Sequence, residues 1–579
     1  VLNTFLKKLE MRRLRVKKIW LILLSAIAGI PLVSTLILFT VGACLYHTAD
    51  FLQPDVEVNM EDYQLVEDGD SLRTSRYGSL YLNKYGLWEA KILGSPIERG
   101  AAYGAMGKDL LKYQEDVFVR QIHQLISSER WIKFLHKFVV VFNRNMAKHI
   151  PQEFREEIYA MSLSCTDEYN SYGTPYGRQL NYHAAHDIGH AMQEYMLVGC
   201  SSFAVWDEQS ENGELVVGRN FDFYVGDDFA KNKILLFVEP TEGYKFASIA
   251  WSGMMGVLSG MNERGLTVTI NAAKGAMPLS SAMPISLLTR QILQYASNID
   301  EAYRIAQGYE TFVSESLLIG SAEDGFAAII EKSPDNISIY RAESSRLICT
   351  NHYQSEAFSR DKNNLKNIAT SDSPYRYERL NELLEELSPI DTGEAAFVLR
   401  NRFGLGGKDI GLTNEKSINQ FIAHHSVVFQ PGRLRMWVST SPWQLGEYVC
   451  YDLNEVFGKE LPSGYSYALD EKNIAADTAA LSSEYHRVIL YKEQYKAVKE
   501  ATLHKGALEQ KQIEEFVSNN PNYFDTYNAL GDFLIAIDET EQALSCFQKA
   551  LTLEISGMGE RKEIEKKIQK YDKRHGKRL

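Results

Sequence analysis

Between residues 97 and 195, apolar positions recur at helical spacing. Leu110, Tyr113 and Val117 share one face, and Ile122, Leu125 and Ile126 share another. Beyond Cys200 the period shortens. Runs at 202–206, 215–223, 234–238, 246–251 and 267–270 read as strands separated by short polar turns. A helical segment is predicted over 284–307. Further strands are predicted at 316–320, 327–331, 337–341, 425–429 and 435–439. Runs of strands with helices grouped between them predict an α+β domain of packed layers.

The two ends break this pattern. Residues 1–18 are basic, with Lys7, Lys8, Arg12, Arg13, Arg15, Lys17 and Lys18. Residues 19–46 form an uncharged apolar run. Such a run is long enough to cross a hydrocarbon core of about 30 Å. The basic flank then places the N-terminus in the cytoplasm and the rest of the chain outside it. A membrane signal anchor is the favoured reading. The alternative is a lipoprotein anchored at Cys44, because Val41-Gly42-Ala43-Cys44 resembles a lipoprotein cleavage box. Met11 is a plausible true start. Residues 47–90, polar and Tyr-rich, are expected to form an irregular linker or docking arm.

Residues 482–579 are helical and strongly charged in pattern. Tyr527, Leu530, Gly531, Leu534, Ala543, Phe547 and Ala550 resemble one tetratricopeptide unit, with Ile555 where the terminal proline is expected. A single unit cannot bury its own face. It is expected to pack on helices at 484–500 and 508–517, as a cap or as a surface for a protein partner.

Net charge of −13 and the lack of a basic patch with interleaved aromatics exclude a nucleic-acid partner from the expectations. The 6 cysteines show neither metal spacing nor a disulfide framework. His186 and His190 share a helical face close to His183, but no HExxH phrase or matching carboxylate accompanies them. No metal and no cofactor are expected.

The candidate chemistry lies at Gly199-Cys200-Ser201-Ser202-Phe203. After the turn signal Glu211-Asn212-Gly213 comes Gly218-Arg219-Asn220-Phe221-Asp222-Phe223. If the Gly199–Cys200 bond is cut, Cys200 carries a thiol of pKa about 8.5 and a free α-amine of pKa about 7.7–8.0, a nucleophile and a base in one residue. Arg219 would favour the thiolate, and Asp222 could hold the new ammonium. Taken singly, Cys200 reads as a buried small hydrophobe, and Arg219 with Asp222 as a surface ion pair.

These phrases resemble the autoproteolytic family of acyl-coenzyme A:6-aminopenicillanic acid acyltransferase, within the N-terminal-nucleophile hydrolases. Four other phrases continue the resemblance: 94–100 followed by Gly104, then 261–271, Cys349-Thr350-Asn351-His352, and 371–376. The family implies an αββα sandwich, with a helical α-chain segment at 91–199 and a catalytic β-chain core at 200–470. It implies self-cleavage between Gly199 and Cys200. It also implies a site of Cys200, Arg219, Asp222, Asn271 (at the oxyanion hole), Asn351 and Arg376. Arg376 reads equally well as a helix-capping residue.

The expected activity is that of an N-terminal cysteine amidohydrolase or acyltransferase. It would act through an acyl-enzyme on an acyl amide or thioester, of the N-acyl amino acid or lipid-like kind. A non-catalytic membrane-anchored scaffold with a degenerate hydrolase fold is the alternative.

Overall fold

Two β-sheets face each other, and each carries helices on its outer side. The structure is a computed structural model and describes residues 40–126, 128–191, 197–459 and 465–575. Four strands precede the helical segment: β1 (Glu67–Asp68), β2 (Leu72–Ser75), β3 (Gly78–Leu82) and β4 (Trp88–Gly94). After it come β5 (Leu197–Val198), β6 (Ser201–Asp207), β7 (Gly213–Phe221) and β8 (Phe223–Tyr224). Then follow β9 (Ile234–Pro240), β10 (Phe246–Ala250), β11 (Ser259–Asn262), β12 (Leu266–Ala272) and β13 (Glu315–Ser321). The last are β14 (Ala327–Lys332), β15 (Ile337–Tyr340), β16 (Arg346–Cys349), β17 (His425–Gln430), β18 (Arg435–Ser439) and β19 (Tyr448–Asp452).

The larger sheet has the order β1-β2-β3-β4-β9-β10-β11-β12-β13-β14-β15, and the smaller β16-β6-β7-β17-β18-β19. Every neighbouring pair is antiparallel except β4 with β9. Alternation along β6 shows how the layers are made. Ala204 and Trp206 enter the apolar layer between the sheets with Phe237, Leu318 and Phe429. Phe203 and Val205 enter the opposite layer with Leu380, Leu384 and Val398. With both faces covered, such a strand reads as a continuous apolar run. The outer face of the larger sheet packs on helices Pro96–Met106, Gln152–Ser162 and Ile285–Tyr295. The helices Ser373–Glu386 and Thr392–Leu399 cover the smaller sheet. These are the four layers αββα.

The 94–104 phrase is a packing device. Ser95 and Glu98 form a capping box at the start of helix Pro96–Met106. A Cβ on Gly100 would lie 2.1 Å from the Glu157 carbonyl oxygen, and one on Gly104 would lie 2.7 Å from that of Met161. Only glycine lets these two helices approach so closely. Buried Glu157 accepts from Arg99 at 2.7 Å and from Arg290 at 2.8 Å, so its charge is paired inside the core.

Two expectations are corrected. Residues 47–90 are not an irregular linker throughout: β1 to β4 extend the larger sheet, with Leu80, Trp88, Ala90 and Ile92 buried. Closely spaced turn residues such as Asn83 and Gly86 mask an alternation that the pairing of β4 with β9 makes stable. The segment 284–307 is two helices, Ile285–Tyr295 and Ile299–Gln307, because the Asn298 side chain accepts from the Glu301 N–H and starts a new helix.

The C-terminal extension is all-helical, with a separate core around Phe516, Phe524, Phe533 and Phe547. It is tied to the sandwich by Asn520, which accepts from the Leu412 N–H at 2.8 Å and donates to its carbonyl at 2.9 Å. Most of the expected membrane span, 19–46, lies outside the described residues, and residues 40–47 are helical. Among the described residues, no helix is long and apolar enough to cross a membrane.

Candidate active site

Cys200 sits where one strand ladder gives way to another. Before it, β5 pairs with β8, and the Gly199 N–H donates to the Asp222 carbonyl at 3.2 Å. After it, β6 pairs with β7, Ser201 opposite Asn220 and Ser202 opposite Arg219. The Gly199–Cys200 peptide is therefore clamped on both sides, opposite the residues that carry the charges. A Cβ on Gly199 would lie 2.7 Å from the Gln420 amide nitrogen. The missing side chain allows that nitrogen to donate to the Gly199 carbonyl at 3.3 Å.

The Cys200 thiol is fully buried, and burial pushes it up from its ordinary pKa. Arg219 works against this, its Nη2 lying 3.4 Å from Sγ, as does the backbone N–H of Asp222. Arg219 itself is inaccessible to solvent. It donates to the Leu258 carbonyl at 2.8 Å, to the Ile270 carbonyl and to the Ser259 hydroxyl, and it lies over the Phe221 ring. The surface ion pair that the sequence alone allowed is excluded, since Arg219 and Asp222 are both buried.

Asp222 is the most perturbed acid beside Cys200. Burial raises its pKa from 3.8 to about 7, against the pull of Arg376 and Arg219, and Asp372 adds to the rise. Neither of its carboxylate oxygens has a hydrogen-bond partner among the described residues. A buried acid without partners costs stability unless a donor arrives or a proton stays on it.

Arg376 points into the site. On the first turn of helix Ser373–Glu386, its Nη1 donates to the Cys200 carbonyl at 2.7 Å and to the Ser201 hydroxyl at 2.9 Å. Its Nη2 donates to Asn351 Oδ1 at 2.7 Å. Asn351 in turn donates to the Ala272 carbonyl at 2.8 Å. Asn271, at the end of β12, donates to the Cys349 carbonyl at 2.9 Å and accepts from the Ser202 hydroxyl at 2.8 Å. One of its two amide N–H groups is thereby engaged. All six residues named from the sequence converge around Gly199–Cys200, Asn351 half-buried and the other five buried.

The sequence reading missed several members of this cluster. Gln420 lies in an irregular segment with no periodicity to mark it. Asn220 holds that segment in place by donating to the carbonyls of Leu399 and Ile418 at 2.8 and 2.9 Å. His425 continues the Arg219 network, its Nε2 lying 2.8 Å from the Ser259 hydroxyl and its Nδ1 3.0 Å from His424 Nδ1. Burial lowers the pKa of both histidines, that of His424 to about 3, so this pair is neutral. The adjacent histidines at the head of a predicted strand were the available signal.

His183 is a core residue. Its Nε2 accepts from the Met255 N–H at 2.9 Å, and its Nδ1 lies 2.7 Å from the Gln179 carbonyl. Burial lowers its pKa to about 4. The side chains of His186 and His190 lie outside the described residues.

In this αββα sandwich a buried cysteine heads a strand, opposite an arginine and an aspartate. Residues 208–409 match the model of the family described as acyl-coenzyme A:6-aminopenicillanic acid acyl-transferase. The family resemblance read from the phrases is thus shown over that segment. It includes Arg219, Asp222, Asn271, Asn351 and Arg376 and begins just after Cys200.

An uncharacterised protein of Archaeoglobus fulgidus is 24% identical over 395 residues, covering 60% of this chain and 64% of the relative. The Dictyostelium discoideum protein dcd1B is 24% identical over 271 residues, 44% of this chain and 51% of its own length. The chain thus spans about half to two thirds of the length of these curated relatives. Among solved structures, the N-acylethanolamine-hydrolyzing acid amidase ortholog of Caenorhabditis elegans aligns over 40% of this chain and 93% of that one, with 16% identity and a TM-score of 0.29. Penicillin V acylase from Agrobacterium tumefaciens aligns over 44% and 87%, with 14% identity and a TM-score of 0.31.

Proposed function

We propose that this chain is the uncleaved precursor of an N-terminal cysteine amidohydrolase or acyltransferase that cuts itself between Gly199 and Cys200. The observation that carries the reading is Asp222: a fully buried carboxylate, without hydrogen-bond partners among the described residues, beside a cysteine whose nitrogen is still an amide. Cleavage would turn that amide into an ammonium, the donor the carboxylate lacks.

In the precursor, Cys200 Sγ attacks the Gly199 carbonyl carbon. Asp222, with a pKa near 7, is of suitable strength to take the thiol proton. Gln420 donates to the oxygen that gains negative charge. The C–N bond breaks, and the departing nitrogen takes a proton to become the α-amine of Cys200. The resulting thioester is opened by water, leaving a carboxylate on Gly199 and a free thiol. In the mature site the α-amine deprotonates the thiol, which attacks an acyl amide. The amine leaves with a proton, and the acyl-enzyme passes its acyl group to water or to another amine. Asn271 is the proposed donor to that oxyanion. Arg376 and Asn351 hold the carbonyl side of Cys200 in place.

We further propose that residues 19–46 anchor the chain in a membrane with the sandwich on the extracytoplasmic side. Attachment at Cys44 is the alternative. A lipid-like acyl amide fits that location better than a cytosolic thioester donor. The pair of helices Phe524–Ala536 and Thr540–Leu551 is proposed as a tetratricopeptide-like cap with a surface for a protein partner. In support, a Cβ on Gly531 would lie 2.4 Å from the Phe547 ring, the small-against-large contact such a pair needs. Mass analysis of the intact protein for a new N-terminus at Cys200 tests the enzymatic reading.

A further inference from the structure

The helix Glu129–Asn143 carries its aromatic residues on the outside. Trp131, Phe134 and Phe138 follow one another at helical spacing on a single face, and each is more than half exposed. Trp131 stacks on Phe134, ring centroids 5.1 Å apart, and Phe138 stacks on Phe142 at 6.3 Å. Ile132, Val140 and Asn143 of the same helix are buried, and Asn143 donates to Asn181 Oδ1 at 2.7 Å. An exposed row of large aromatics flanked by charge marks an interaction surface rather than ordinary scatter.

Three further observations say what lies against it. The flank of this face is basic: Arg130, Lys133 and Lys137 are exposed, and no acidic residue occurs from 130 to 143. The ammonium of Lys137 lies 5.8 Å over the ring of Tyr46, the last residue of the apolar run 19–46. The face therefore adjoins the point where that run meets the sandwich. A second exposed apolar element joins it, the loop bearing Met277 and Leu279, both largely exposed. Just beyond this loop, the Ser281 N–H donates to the Phe142 carbonyl at 3.2 Å. That loop continues directly from Ala272 at the end of β12, so the strand carrying Asn271 runs out into this surface.

From these we infer that the face formed by Trp131, Phe134, Phe138 and the Met277–Leu279 loop lies in the headgroup region of an anionic phospholipid bilayer. An amphipathic helix with aromatics on one face and Lys and Arg beside them has the pattern of an in-plane interfacial helix. The aromatic rings enter the acyl boundary, and the three basic side chains reach phosphates. In consequence, the end of β12 just beyond Asn271 leads into the membrane-facing surface. The inference rests in part on the proposed anchor, and the experiment separates the two.

The full chain, carrying Cys44→Ser, is reconstituted into vesicles of phosphatidylcholine and phosphatidylglycerol. A nitroxide is attached at Phe138→Cys or at Leu279→Cys, with Leu503→Cys on the far helical extension as the aqueous control. The loop position leaves the helix untouched, which guards against a label that perturbs folding. The expected result is several-fold preferential collision with oxygen over a water-soluble nickel complex at both test positions, relative to the control. Water-like collision at both positions overturns the inference. So does protection from both reagents, which would mean that residues 1–39 or a second copy of the chain covers the face. Vesicles that retain the protein while both labels read water leave the anchor standing and remove this surface. Labels that read lipid on protein washed off by high salt do the reverse.

Discussion

The Asp222 carboxylate lies beside Cys200 with no hydrogen-bond partner for either oxygen among the described residues, and its pKa is raised from 3.8 to about 7. In the uncut chain this residue opposes folding at neutral pH. Between pH 3.8 and 7 the folded chain keeps a proton on Asp222 that the unfolded chain has released. Its contribution to stability is therefore fully present below pH 3.8 and is lost as pH rises through 7, by up to ~4 kcal/mol. Denaturant titration of an uncleavable Cys200→Ala chain at pH 5 and pH 7.5, with and without Asp222→Asn, isolates this contribution from that of other buried groups such as Glu415, raised to about 8. On going from pH 5 to pH 7.5, the chain that keeps Asp222 should change in stability less favourably than the Asp222→Asn chain. If the two chains show the same pH dependence, Asp222 is not the strained group described above.

Gln420 donates to the Gly199 carbonyl oxygen, the atom that gains charge when Cys200 attacks. Removing one such donor typically slows a reaction about 10²–10³-fold. Gln420→Ala should therefore accumulate full-length chain that matures slowly, followed by the time course of the two fragments on a denaturing gel. Cutting at the wild-type rate would remove Gln420 from the self-cleavage step while leaving self-cleavage itself intact.

Asn271, next to last in β12, places one N–H on the Cys349 carbonyl. Asn271→Ala should bind an acyl amide but turn it over about 10²–10³-fold more slowly. The measurement requires mature protein, obtained by co-expressing a fragment beginning at Cys200 with the preceding piece. An unchanged kcat would exclude Asn271 from the oxyanion site.

Long-chain substrates should bind largely through their tails, since each buried CH₂ contributes about 0.8 kcal/mol. Across N-acyl amino acids of increasing acyl length, kcat/KM should rise. A flat or falling series would argue against lipid-like substrates and leave the cleavage chemistry untouched.

Much of this arrangement was legible in the sequence because its residues sit in phrases. Arg219 and Asp222 share one strand and its exit, Asn271 ends an alternating run, and Arg376 follows a helix-start signal. Local pattern fixes such positions. Residues brought in by tertiary packing alone were not legible. Gln420 reaches Gly199 from an irregular segment, and Asn220 fixes that segment through two carbonyls far away in the chain. Strand β4 forms a hairpin with β3, but its other partner β9 lies beyond the whole helical segment, and that parallel pairing leaves no local signal. Arg376 shows the limit of a phrase: its place was readable, whereas its aim at the Cys200 carbonyl was not.

The central claim is that Cys200 cuts its own N-terminal bond. Intact-mass analysis of the wild-type chain and of Cys200→Ala, expressed and purified identically, tests it most directly. The account predicts two fragments for the wild type, one ending at Gly199 and one beginning at Cys200, and a single uncut chain for Cys200→Ala. A wild-type chain that stays whole, or a Cys200→Ala chain cut at the same bond, would contradict it.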